Sequence, residues 1–199
     1  MTRTYYSEHV MNSTGPVMPW AMSKDYPRWT EVLRDQTRVV IRPIMKKDIA
    51  EERTFIETLS PQSRRYRFLG QVRHPSEELI TKLTDIDYDH DVAFAAVVPD
   101  DARERFLGVG RYSTDHAGTS CEFAVAVLDD WQHKGLGTLL VKHLIDVARS
   151  RGIRYLYSID SAENLEMADL ARFLGFNRES DPNDGTQVVH SLWLQPATG

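Results

Sequence analysis

Apolar residues recur along this chain with two different periods, and the period changes partway along. Val39, Ile41 and Pro43 alternate with Val40, Arg42 and Ile44, which predicts a strand with one partly polar face. Residues 29–33 and the turn residues Arg34, Asp35 and Gln36 precede it, so the segment reads as two short strands around a tight turn. Residues 91–98, 106–114 and 121–128 read as three more strands. Their short connections make them an antiparallel meander. Between the two groups of strands the period is helical. Ile49, Phe55, Ile56 and Leu59 fall near one stripe of residues 48–59, and Ser60-Pro61 stops that helix. Residues 63–69 predict a short helix, basic on one side through Arg64, Arg65 and Arg67. A third helix opens at Pro75-Ser76-Glu77-Glu78 and turns Leu79, Ile80 and Leu83 inward.

After residue 128 the pattern becomes strand–helix–strand–helix–strand. Residues 137–150 place Leu140, Leu144, Val147 and Ala148 on one helical face, and Gly152 ends it. Residues 153–158 predict a strand, 164–174 a helix closed by Gly175, and 186–194 a last strand. The fold class expected is α/β, a mixed sheet of six or seven strands flanked by helices. Residues 1–28 show no period and are expected to be an irregular extension to a single domain over 29–199.

Composition narrows the classes. Of 199 residues 41% are hydrophobic and 27% charged, which suits a globular rather than a disordered chain. A net charge of −5 argues against a general nucleic-acid binder. The single cysteine forbids an internal disulfide and fits a reducing cytoplasm. No signal peptide is expected, and the longest apolar run, residues 92–98, is too short for a bilayer. A cytoplasmic protein with no membrane partner is expected. Among the seven histidines no pair shows metal-ligand spacing, so no metal is expected.

The candidate chemistry centres on Trp131-Gln132-His133-Lys134-Gly135-Leu136-Gly137-Thr138, between a strand and an amphipathic helix. Such a turn leaves backbone N–H groups converging at the positive end of a helix, which suits a phosphate or pyrophosphate. A Walker-type loop would need a Gly-Lys-Ser/Thr that is absent here. A dinucleotide fingerprint would need a third glycine where Leu140 stands, although Asp160 lies at a fitting distance downstream. An acyl-coenzyme A site has the form Gln-x-x-Gly-x-Gly, and Gln132, Gly135 and Gly137 match it. An ordinary strand-to-helix turn is the remaining alternative.

Residues 125–138, the helix behind them, Asn164 and Leu174-Gly175-Phe176 together resemble the GNAT superfamily of acyl-CoA-dependent N-acyltransferases. Tyr26-Pro27, Arg42-Pro43-Ile44, Ser60-Pro61 with Tyr66-Arg67-Phe68, and Asp85-Ile86-Asp87-Tyr88-Asp89 resemble the acetyltransferase domain of bacterial protein-lysine acetyltransferases. The resemblance implies acetyl-CoA as co-substrate. Backbone groups of Val125, Ala126 and Val127 would meet the pantetheine amides. The N–H groups of His133, Lys134, Gly135, Leu136, Gly137 and Thr138 would hold the pyrophosphate, with Gln132 shaping the loop. Asn164 matches the asparagine that reaches the pantetheine arm, but is also a favoured helix N-cap. Many relatives carry a tyrosine as acid for the leaving thiolate where this chain has Ala171; Asp160 and Ser161 are substitutes to consider.

Glu122 is the candidate catalytic residue. It is a lone acid in an apolar strand, and alternation puts it on one face with Ala124 and Ala126. An amine acceptor arrives protonated, with an ordinary pKa of about 10.4, and only its neutral form attacks a thioester. A partly desolvated carboxylate can take that proton. The alternatives are a salt-bridged strand glutamate, or a strand bulge that turns it away. Cys121, in the same apolar strand, reads as structural. The expected activity is acetyl transfer to a primary amine, with a protein lysine favoured. A small-molecule amine acetyltransferase and a non-catalytic acyl-CoA sensor are the competing readings. The acids Asp85, Asp87, Asp89 and Asp91 could attract a cationic acceptor or simply form a solvated loop. A homodimer through residues 1–28 is a further expectation.

Overall fold

A computed structural model of the protein describes residues 27–70, 74–100 and 103–194. The proposed extension therefore lies almost wholly outside the described residues, as does Tyr26. Strands β1 (Trp29–Val32) and β2 (Arg38–Pro43) form the expected hairpin, with Trp29 opposite Ile41. Strands β3 (Asp91–Asp100), β4 (Arg103–Thr114) and β5 (Ser120–Val127) continue it as an antiparallel meander. Strand β6 (Tyr155–Ser161) then runs parallel to β5 and antiparallel to β8 (Gln187–Trp193). One more strand, β7 (Asn177–Ser180), pairs with the outer side of β8, giving the order β1-β2-β3-β4-β5-β6-β8-β7.

The sheet thus has eight strands rather than six or seven. The added strand reads Asn-Arg-Glu-Ser and every residue in it is exposed. It has no apolar alternation to betray it and is held as an edge by backbone pairing. One irregularity falls between β3 and β4, where the register shifts between Ala96 and Val97. The pairing of β4 with β5 runs without a shift from Thr114–Cys121 to Gly108–Val127, so side chains alternate strictly along β5.

Five helices flank the sheet: α1 (Ile49–Thr58), α2 (Pro61–Phe68), α3 (Glu77–Thr84), α4 (Leu136–Ser150) and α5 (Leu165–Phe173). Ser60-Pro61 stops α1 and also starts α2. The Ser60 hydroxyl accepts from the Ser63 N–H at 3.2 Å, and Pro61 takes the first helical position. Ser76 caps α3 in the same way, through the Leu79 N–H at 3.1 Å.

Glycines decide how closely α4 approaches the sheet. A Cβ on Gly108 would stand 3.0 Å from Leu140 Cδ1, and one on Gly110 would stand 3.2 Å from Leu140 Cβ. The face of β4 carrying these two glycines therefore meets α4. The opposite face carries Arg111, whose guanidinium donates to Glu52 on α1 at 2.9 Å. At the far end of the sheet Arg42 is only 3% exposed, and it donates to both carboxylate oxygens of Asp48, at 2.7 and 3.0 Å. Its Nε donates to Glu104 at 2.6 Å. Among the described residues no helix is long and apolar enough to cross a membrane.

Candidate active site

The sheet opens at its centre. Strands β5 and β6 pair at Ser120–Tyr155, Cys121–Leu156 and Glu122–Tyr157, and at no later position. Beyond Glu122 the remainder of β5 faces a gap. Which of its backbone groups do so follows from two hydrogen bonds. The Asp115 N–H donates to Ser120 O at 2.9 Å, and the Leu128 N–H donates to Leu107 O at 2.9 Å. Even-numbered residues of β5 therefore aim their N–H and C=O at β4, and odd-numbered ones aim theirs at the gap. Of the three residues expected to meet pantetheine, Val125 and Val127 present backbone groups there, and Ala126 presents its groups to β4. The Val127 carbonyl already accepts from Gln132 Nε2 at 3.2 Å, and the same nitrogen lies 3.4 Å from Ser63 Oγ. Gln132 thus ties the following loop to the end of β5 and to α2.

That loop ends at Gly135, the N-cap of α4, with φ of +91°. This is backbone that glycine adopts without strain. No side chain caps the helix, so the N–H groups of Leu136, Gly137 and Thr138 point outward together with the positive end of a 15-residue dipole. His133, at φ of +60°, is exposed and lies 3.9 Å from Glu166. Lys134 stands over the Trp131 ring at 4.5 Å, and its ammonium meets Asp35 at 3.1 Å. A Cβ on Gly137 would stand 3.0 Å from Leu170 Cδ1, so α5 closes over the same helix end.

Glu122 sits at the last paired position before the gap opens. Its neighbours on β5, Phe123, Val125 and Val127, share the α4 side with Gly108 and Gly110. Glu122 therefore lies on the other face, with Ala124, Ala126 and Arg111, where Arg67 of α2 reaches it electrostatically. It is half-buried, and burial pushes its carboxyl above the usual range; the charge of Arg67 opposes the rise and that of Asp160 adds to it. Tyr157, its partner on β6, has its hydroxyl pushed up to about 12, chiefly by burial. Next along this face Tyr155 stacks with Tyr157 at 5.7 Å and meets Trp193 at a tilt at 4.8 Å, and Trp193 is 68% exposed. Under α1, Glu52 is raised by burial even beside Arg111.

Asn164 is the N-cap of α5, its Oδ1 accepting the Met167 N–H at 3.1 Å. The capping role is thus fulfilled, and the side-chain NH2 remains for a ligand. Ala171, the position at which the resemblance led to the expectation of a tyrosine, is 1% exposed. Behind the gap, Asp160 accepts from Ser158 Oγ at 2.6 Å and pairs with His190 Nδ1 at 3.0 Å. Neither Ser158 nor His190 stood out in the sequence, since 30 residues separate His190 from Asp160. Cys121 is buried and its thiol is pushed well above the ordinary range by burial, which suits a structural residue. Asp87 Oδ1 accepts the N–H groups of Asp89, His90 and Asp91, so that acid organises its own loop. Among the described residues no group of three metal-ligating side chains converges.

The acetyltransferase (GNAT) family matches residues 53–176, more than half of the chain. The protein belongs to the GNAT acetyltransferases. An acetyltransferase of Pseudomonas aeruginosa is 46% identical over 166 residues, 83% of this chain and 89% of that protein. The acetyltransferase Pat of Mycolicibacterium smegmatis is 31% identical over 140 residues, 68% of this chain but 40% of its own length. The crystal structure of the GNAT domain of S. lividans PAT superposes with a TM-score of 0.78 at 26% identity, covering 85% of this chain and all of that domain. Acetyltransferases of this family use acetyl-CoA as co-substrate.

Proposed function

We propose that the protein transfers an acetyl group from acetyl-CoA directly to a primary amine, with Glu122 as the general base. The observation that carries this reading is the position of Glu122. It is a half-buried carboxylate at the mouth of the β5–β6 gap, on the face opposite α4. Coenzyme A would enter from the α4 side. Its pyrophosphate would lie on the N–H groups of Leu136, Gly137 and Thr138, and its pantetheine arm on Val125, the Val127 N–H and Asn164. The acceptor would come from the α2 side, so donor and acceptor meet across the sheet. A carboxyl raised by burial holds a proton more strongly than a solvated one, so it accepts one from the bound ammonium with less penalty. The neutral amine then attacks the thioester carbonyl. The thiolate leaves without a tyrosine at 171, and coenzyme A thiol is acidic enough to depart that way.

A lysine side chain on a protein is the acceptor proposed. The likeness to the acetyltransferase Pat and to the GNAT domain of S. lividans PAT supports it. So does the aromatic shelf of Tyr157, Tyr155 and exposed Trp193 beside Glu122. Such rings suit the apolar stem and the cationic tip of lysine. Lysine peptides, polyamines and small amines, each supplied with acetyl-CoA, test this by release of free thiol. Faster release with lysine peptides than with the other amines is expected; release with small amines alone refutes the lysine assignment.

A further inference from the structure

The tip of the β1–β2 hairpin is docked on the loop that begins α4, through three contacts. The Arg34 N–H donates to Lys134 O at 3.1 Å. Asp35 pairs with the Lys134 ammonium at 3.1 Å. The Arg34 side chain lies across Gly135, with Nε and Cγ each 3.7 Å from where a Cβ on that glycine would stand. The second contact changes which cation serves a phosphate. Asp35 takes the charge of Lys134 and is itself held below the usual carboxylate range by Thr37 and Lys134. Arg34 is exposed and, among the described residues, no carboxylate pairs with its guanidinium.

The two flanks of the loop differ in charge and in place. On the α5 flank, Glu166 lies 3.9 Å from His133, and Glu163 lies 3.9 Å from Arg65 of α2. The hairpin flank is the one that carries the unpaired guanidinium. It also lies away from the β5–β6 gap, because β1 runs along α4, with Glu31 bonded to His143 at 2.8 Å and Trp29 stacked on the same ring at 4.5 Å. A coenzyme A molecule that fills the gap with pantetheine and rests its pyrophosphate on α4 must send its remaining part, the 3′-phosphorylated adenosine, outward from the gap. A 3′-phosphate is dianionic, and on the α5 flank His133 and Arg65 already face carboxylates. A guanidinium laid over the helix N-cap matches it in charge and in fork geometry.

We infer that Arg34 binds the 3′-phosphate of coenzyme A, so that the β1–β2 hairpin selects the phosphorylated coenzyme over its dephospho form. This rests on the phosphate-loop reading above, and the test separates the two. Dissociation constants are measured by calorimetry for coenzyme A and for 3′-dephospho-coenzyme A, on the wild type and on Arg34→Gln and Arg34→Lys, with no acceptor present. A charge-assisted contact at a partly exposed site predicts that the wild type binds dephospho-coenzyme A about tenfold more weakly. Arg34→Gln should weaken coenzyme A by a similar factor and leave dephospho-coenzyme A unchanged, so the two losses are not additive. Arg34→Lys should recover part of the preference, and added salt should erode it. Equal weakening of both ligands by Arg34→Gln overturns the inference, because the arginine then serves the pyrophosphate. Unaltered affinity for both overturns it as well, while leaving the loop reading intact. No binding of either ligand by the wild type overturns the loop reading and the inference together. The melting temperature of Arg34→Gln should match the wild type, as expected for an exposed side chain.

Discussion

At the scale of single residues, the proposed chemistry turns on how far one carboxylate is withdrawn from water. Burial raises the Glu122 carboxyl above its ordinary range. The active form of a base is the deprotonated one, so kcat/KM should rise with pH through a pKa higher than that of a solvated glutamate. In Glu122→Gln that acid limb should vanish and kcat should fall by about 10²- to 10⁴-fold, as is usual for loss of a general base. Affinity for acetyl-CoA should be retained, since Glu122 lies on the face away from α4. A pH–rate profile of both proteins, with calorimetry, measures all three effects. Unchanged turnover in the variant would remove Glu122 from the mechanism. Glu122 was legible in the sequence because an acid among alternating apolar residues is conspicuous. Its environment was not. Arg67, Asp160 and Tyr157 come from α2 and β6 and meet it only through folding.

At the scale of elements, two roles assigned to one residue can be separated by substitution. Asn164 caps α5, so Asn164→Ala should lower stability by about 1 kcal/mol. Asn164→Asp keeps an oxygen for the Met167 N–H and should keep the stability. If the NH2 of Asn164 also serves the pantetheine arm, Asn164→Asp should still raise KM for acetyl-CoA several-fold. An unaltered KM would confine the residue to capping. The glycines of β4 make a second element-level case. A Cβ on Gly110 would press on Leu140 Cβ at 3.2 Å and Leu144 Cδ1 at 3.3 Å. Gly110→Val should therefore cost about 1–3 kcal/mol by overpacking, read as a lower denaturant midpoint with an unchanged slope. Element types were legible where apolar residues kept a steady period, as in β3, β4 and α4. The four exposed residues of β7 carried no such signal. The hairpin turn at Arg34 was legible as a turn, but its place on the α4 loop, 100 residues later, was not.

At the scale of the whole molecule, a charged network fixes the half of the sheet away from the gap. Arg42 joins β2 to the start of α1 through Asp48 and to β4 through Glu104, which also bonds Arg28. Arg42 and Asp48 are nearly inaccessible, with 3% and 4% of their side chains exposed. Removing one buried partner leaves the other charge without compensation, so Arg42→Ala should cost about 3–5 kcal/mol. Thermal unfolding should register this as a large fall in Tm. The mixed fold itself followed from the order of periods along the chain, antiparallel strands first and then strand–helix units. The gap did not, because two strands that pair for three residues and then part look like any parallel neighbours in sequence. The central claim is that this gap receives the coenzyme. A crystal structure of the protein with coenzyme A tests it most directly. The pantetheine arm should lie between β5 and β6 with an amide bonded to Val125, the pyrophosphate on the N–H groups of Leu136 to Thr138, and the sulfur on the way to Glu122. A coenzyme bound on the α1–α2 face, or with its phosphates away from the start of α4, would contradict it.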